Sequence, residues 1–124
     1  AWPMSQTSPA VILFRTEDIT PKQFGENPDN IIYPTGNEGN IVYACLKMPR
    51  RWVIDAMEVY NATALAKCKK RLTPDLDNGY ATLTGGYGHS LIRKVEKTID
   101  GHAIYQDTNN STNDFYEADN CSLR

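Results

Sequence analysis

The sequence predicts an α+β fold: a single helix packed on an antiparallel sheet, with an irregular N-terminal arm. Three observations carry this expectation. Five of the seven prolines fall within residues 1–40, where they interrupt regular structure. Residues 50–71 repeat their apolar side chains at helical spacing. The chain after them alternates in period two between turn signals.

The arm, residues 1–40, holds two short strand candidates. Ala10–Phe14 is an apolar run of strand length. Asn30-Ile31-Ile32-Tyr33 is stopped by Pro34 and the Gly36-Asn37-Glu38-Gly39 cluster. Residues 41–124 form the main domain. Asn40–Cys45 reads as a strand, rich in β-branched and aromatic residues. Pro49 suits the first position of a helix, where its missing N–H has no partner to lose. Val53, Ala56, Met57, Tyr60, Ala64 and Cys68 then follow one helical face, and Glu58 falls off it toward water. Lys67, Lys69, Lys70 and Arg71 crowd the last turn, where cations meet the negative end of the helix dipole. Thr73-Pro74 and Asp75–Gly79 end it. Tyr80–Thr84, His89–Lys97, His102–Thr108 and Phe115–Ala118 follow as strands. Asp100-Gly101 makes a hairpin turn, and Asn109–Asn113 a polar loop.

Composition bounds the function classes. A chain of 124 residues is long enough for one core. A formal net charge of −2 excludes a polycation that seeks nucleic acid through its overall charge. The longest apolar run, Ala10–Phe14, is far short of the ~20 residues that span a bilayer, so no membrane partner is expected. Cys45, Cys68 and Cys121 permit one disulfide and one leftover thiol, or three free thiols. With His89 and His102 they show no paired short spacing, so neither a metal nor another cofactor is expected. Secretion is the expected compartment. The Ala1-Trp2-Pro3 start is of the kind left by signal-peptide removal. Sequons begin at Asn61, Asn109, Asn110 and Asn120.

The order of elements resembles the small secreted fungal guanyl-specific ribonucleases, and more closely the ribonuclease-like effectors of powdery mildew fungi. Tyr43-Ala44-Cys45 is similar to the Tyr-x-Cys before the helix in those effectors, and Cys121 to their terminal cysteine. His89–Asn120 has the rhythm of their last three strands. The resemblance covers residues 41–124 and implies a Cys45–Cys121 disulfide with Cys68 left as a free thiol.

Ribonucleases of that family act through a general acid and a general base. The stretch matching their acid histidine is Tyr105-Gln106-Asp107-Thr108, and the one matching their early histidine is Gly79-Tyr80-Ala81-Thr82. Both positions lack a histidine, so the resemblance implies a non-catalytic protein. An active phosphodiesterase is the alternative, with His89, His102 and Glu96 as catalytic candidates beside Arg93. The two histidines are expected at opposite ends of a hairpin. Lys67, Lys69, Lys70, Arg71 and Arg93 are candidate phosphate contacts for weak RNA binding, with Tyr87 a stacking face. The Gly85–Gly88 turn and the Asn109–Asn113 loop are candidate recognition loops.

The resulting expectation is a secreted, non-catalytic effector, a virulence protein delivered into a host cell. It binds a host protein or RNA and is recognised by a host immune receptor. A glycosylated structural secreted domain is the remaining alternative.

Overall fold

The computed structural model describes residues 9–34, 44–84 and 88–120. In chain order its elements are β1 (Ala10–Phe14), α1 (Pro21–Gly25), β2 (Ile31–Ile32), β3 (Cys45–Leu46), β4 (Val53–Asn61), β5 (Ala81–Leu83), β6 (Ser90–Arg93), β7 (Val95–Ile99), β8 (His102–Tyr105), α2 (Ser111–Asp114) and β9 (Phe115–Ala118). Turns of 3-10 helix occupy Pro28–Asn30, Arg50–Trp52 and Ala62–Lys67. The described strands form a three-stranded sheet in the order β1-β4-β5 and three two-stranded sheets, β2-β3, β6-β9 and β7-β8. The fold is mainly β, which corrects the expected α+β arrangement of one helix on a sheet.

The correction lies in residues 50–71. Their centre is β4, a nine-residue strand that pairs in parallel with β5 through Val59↔Ala81, Tyr60↔Thr82 and Asn61↔Leu83. Ala56, Glu58 and Tyr60 are buried at alternate positions. Glu58 is polar, so it hides the apolar alternation by which a half-buried strand is recognised. What remains visible is Val53, Ala56, Met57 and Tyr60, spaced as on a helix. Val53, Ile54, Val59 and Tyr60 are residues that favour a pleated surface, and the pairing with β5 lets that preference win. Pro49 caps the Arg50–Trp52 turn instead of opening a long helix.

The chain divides into two compact units, Leu13–Ile54 and Ala1–Ile12 together with Asp55–Arg124. In the smaller unit, Thr20 and Gln23 form a capping box at α1. Gln23 N–H donates to Thr20 Oγ1 at 3.2 Å, and Thr20 N–H to Gln23 Oε1 at 3.1 Å. Asn27 Oδ1 accepts from Asp29 N–H at 3.0 Å. The β2-β3 ladder pairs Ile31↔Leu46 and Ile32↔Cys45. Trp52 is buried and meets Phe24 edge to face, with ring centroids 4.8 Å apart.

In the larger unit the buried apolar residues are Ala56, Val59, Tyr60, Leu72 and Ala81. Tyr60 stacks on Tyr80 with centroids 4.1 Å apart and planes 8° from parallel. Burial, helped by the charge of Glu58, raises the Tyr60 phenol above its ordinary pKa. The β6-β9 ladder runs from Ser90↔Ala118 to Arg93↔Phe115. The chain then turns at Lys94 into β7, so the expected strand His89–Lys97 is two strands on different sheets.

Candidate functional site

Three carboxylates are the most completely buried large side chains described: Glu58, Asp77 and Asp114, each at most 1% exposed. Charges enter a protein interior only with dedicated donors, and each of these has them. Glu58 accepts from Lys70 Nζ, from the Arg71 N–H and, at 3.2 Å, from the Leu72 N–H. Asp77 accepts from the backbone N–H groups of Glu58 (2.8 Å), Gly79 (2.9 Å) and Ser111 (2.9 Å), and from Ser111 Oγ (2.6 Å). Asp114 accepts from Thr108 N–H (2.8 Å) and Oγ1 (2.9 Å), Gln106 Nε2 (3.1 Å) and Asn110 N–H (3.3 Å). Burial pushes the Asp114 carboxyl up, but the Thr108, Gln106 and Asn110 donors outweigh it and hold its pKa below the ordinary value.

These bonds form a continuous chain. Asp77 ties β4 to the start of α2, and α2 carries Asp114. Asp114 then holds Gln106, and its carbonyl accepts from Lys94 N–H at 2.8 Å. Lys94 C=O accepts from Gln106 N–H at 2.9 Å. Lys94 and Gln106 are the two feet of the β7-β8 hairpin, so its base stands on the buried network.

The hairpin itself lies in water. Every residue from Val95 to Tyr105 is exposed, including Val95 (51%), Ile99 (48%), Ile104 (38%) and Tyr105 (56%). Asp100 and Gly101 close it with φ of 49° and 77°, the two left-handed positions a two-residue hairpin turn needs. The ladder pairs Ile99↔His102, Thr98↔Ala103 and Lys97↔Ile104. A bulge then shifts it to Val95↔Tyr105. Ile99 and Ile104 share one face of the ribbon, and Val95 and Tyr105 share the other.

A second polar cluster lies on β9. Glu117 accepts from Thr84 N–H and Oγ1 (3.0 and 2.8 Å), and its Oε1 is 2.9 Å from His89 Nδ1. Burial pushes the Glu117 carboxyl up, while the Thr84 and His89 contacts bring it below the ordinary value. Nearby, a cavity of 230 Å³ is lined by Tyr80, Thr82, Leu91, Thr112, Phe115 and Glu117, among others.

The catalytic candidates do not converge. His89 precedes β6 and contacts Glu117. His102 opens β8 beside Ile99, at the far tip of the hairpin. The two histidines do not share the expected hairpin: His89 lies beside the β6-β9 ladder, and His102 is at the tip of the β7-β8 hairpin. Glu96 is exposed in the bulge, and Arg93 pairs with Asp55 at 2.6 Å while lying over the Phe115 ring.

The expected basic patch is also divided. Lys70 and the Arg71 backbone fold onto Glu58, whereas Lys67 ends an exposed 3-10 turn. Lys69 is exposed but already engaged. Cys45 and Cys68 are free thiols. Cys121, the other end of the expected Cys45–Cys121 bridge, lies outside the described residues. So do Tyr87, the centre of the Gly85–Gly88 turn and most of the Asn40–Cys45 strand. The Asn109–Asn113 loop contains the start of α2, capped by Asn110 Oδ1 accepting from Thr112 N–H at 3.1 Å. At the sequon residue Asn61, Oδ1 accepts from Thr63 N–H and Oγ1.

Sequence reasoning missed Asp77, Asp114 and Glu58 as organising residues. The available signal was the density of Asp, Asn and Ser in Asp77-Asn78-Gly79 and Asn109–Asp114, residue types that cap backbone N–H groups.

Residues 1–122 match the family described as "Protein of unknown function (DUF4876)". No curated protein and no solved structure matches the chain.

Proposed function

The chain belongs to the DUF4876 family, whose description assigns no activity, and we propose on its own geometry that it is a non-catalytic module binding a protein partner through the β7-β8 hairpin. The observation that carries this is that every residue of Val95–Tyr105 is exposed, with apolar side chains on both faces of the ribbon. Four large apolar side chains held in water on one projecting ribbon, two on each face, suit an interaction site. The base beneath it is hydrogen-bonded at both feet, by Asp114 to Gln106 and to Lys94. A fixed scaffold carrying a projecting ribbon suits recognition.

The sequence admits a host protein, an immune receptor among them, or RNA as partner. The hairpin favours protein. Its charges are Glu96, Lys97 and Asp100, with no cationic surplus for phosphates. Lys70 and Arg93, two of the proposed phosphate contacts, are held by Glu58 and Asp55. The buried carboxylates are committed to backbone donors, which suits anchoring better than acid–base chemistry.

Photo-crosslinking tests the reading. A photoreactive residue is placed at Thr98 on the hairpin, or at Lys67 away from it, and the protein is used in extract from its source cells. Crosslinks to protein from position 98, lost when Ile99→Lys and Ile104→Lys are introduced together, are expected. Crosslinks from position 67 alone, or insensitivity to the double substitution, would overturn the proposal.

A further inference from the structure

The geometry points to the outer edge of β8 as a strand-pairing site for a second copy of this chain, an inference that rests on the hairpin being the recognition element. A strand edge is open to pairing when its outward N–H and C=O groups have no partner and nothing blocks approach. The two edges of the ribbon differ in this respect. The β7 edge carries the bulge between Val95 and Lys97, with Glu96 and Lys97 at it. Bulges and edge charges are devices that discourage pairing. The β8 edge, His102-Ala103-Ile104-Tyr105, has no bulge, no proline and no acidic or lysine side chain. No other described strand lies along it.

The ladder determines which groups face outward. A two-residue hairpin turn is closed by a pair that exchanges hydrogen bonds, here Ile99 and His102. Ile104 opposite Lys97 repeats that arrangement two residues on. Gln106 N–H then bonds Lys94 C=O at 2.9 Å. His102, Ile104 and Gln106 therefore direct their backbone groups toward β7, and Ala103 and Tyr105 direct theirs outward.

This spacing is self-complementary. With a two-fold axis at Ile104, antiparallel pairing sets Ala103 opposite Tyr105 of the second copy and Tyr105 opposite Ala103. Each outward N–H then meets a C=O, and each Tyr105 ring lies beside a small Ala103 methyl. Ile104 meets Ile104 of the second copy on the other face, covering apolar surface that is otherwise in water. A strand of this length makes less area than the roughly 1,200 Å² of standard interfaces, so the association is concentration-dependent and reversible.

The test is a symmetric crosslink in the full chain with Cys45→Ser, Cys68→Ser and Cys121→Ser introduced to remove competing thiols. Across the axis, the two residues at position 104 form a non-hydrogen-bonded pair with Cα atoms about 4.5 Å apart. That lies in the range that accepts a disulfide. Ile104→Cys is expected to form a disulfide-linked dimer about tenfold faster than His102→Cys, which faces Gln106 of the second copy. Sedimentation of the unsubstituted protein should show a dimer fraction that rises with concentration. Ala103→Pro, which removes an outward N–H without touching the β7 ladder, should reduce that fraction about tenfold. Thr98→Pro, on the β7 edge, should leave it unchanged. Equal bridging rates at positions 102 and 104, or a monomer at every concentration, would overturn self-pairing. If position 98 still crosslinks to a different protein, the hairpin reading survives that result. If it does not, both fall.

Discussion

Residues 13–54 and the larger unit bury different kinds of side chain. In the smaller unit the buried anchor is Trp52 against Phe24, joined by local caps such as Thr20 with Gln23, by the β2-β3 ladder and by Lys47 Nζ donating to the Asp29 carbonyl, none of which buries a charged side chain. In the larger unit Glu58, Asp77 and Asp114 are buried as deeply as any apolar residue. Their partners reach as far as Ser111 from Asp77 and Leu72 from Glu58. An aromatic contact tolerates many geometries and responds little to pH. A buried carboxylate tolerates one set of donors, so it specifies register more sharply, and the lowered carboxyl of Asp114 makes the larger unit acid-sensitive.

The largest expected effects form a matched pair. Glu58→Ala leaves the Arg71 and Leu72 N–H groups without their acceptor, while Lys70 still reaches water, and should cost about 2–5 kcal/mol, as two unsatisfied backbone donors do. Trp52→Ala should cost about as much, roughly 3–5 kcal/mol, by emptying an aromatic site. Urea unfolding gives the magnitudes. Hydrogen exchange gives the location, near β4 and β5 for the first and near α1 for the second. Indistinguishable exchange patterns would abolish the contrast between the units. The half-buried neighbour Met57 should lose only about 1 kcal/mol on change to Ala, the reverse of what a helix through residues 50–71 requires.

Gly79 provides the next test. A Cβ there would overlap Asn110 Oδ1 and lie 2.7 Å from Thr112 Oγ1. Gly79→Ala should therefore cost about 1–3 kcal/mol, as overpacking does, with thermal unfolding as the readout. An unchanged midpoint would mean that the 77–80 and 109–112 segments separate without penalty.

Acid should distinguish the units further. The folded-state pKa values of Asp114 and Glu117 lie below their ordinary values. Their contribution is thus complete above about pH 4–5 and is lost as pH falls through the depressed folded values. Asp114→Asn should flatten the acid limb of a stability–pH curve, whereas Trp52→Ala should lower the curve without changing its shape. The smallest effect belongs to the α1 cap: Thr20→Ala should cost about 1 kcal/mol or less, because the box is exposed.

Elements with a local signature were legible in the sequence. The apolar run Ala10–Phe14 is β1, and Phe115–Ala118 is β9, each with the expected bounds. Asp100-Gly101 makes the expected turn because its two residues tolerate positive φ. The break at Lys94 was invisible, since the alternation of His89–Lys97 runs through it and only the distant Asp114 carbonyl marks the bend.

Tertiary structure decided the rest. Val53, Ala56, Met57 and Tyr60 satisfy a helical face as sequence, and β4 satisfies a different one, Ala56, Glu58 and Tyr60, as structure. Choosing between them requires knowing that β5 will lie alongside β4, and that Lys70, Arg71 and Leu72 will bring donors to Glu58. Periodicity records which residues prefer to leave water. It holds no record of which charged residue a remote segment will pair, and that pairing is what makes an inward-facing glutamate, and hence this strand, stable.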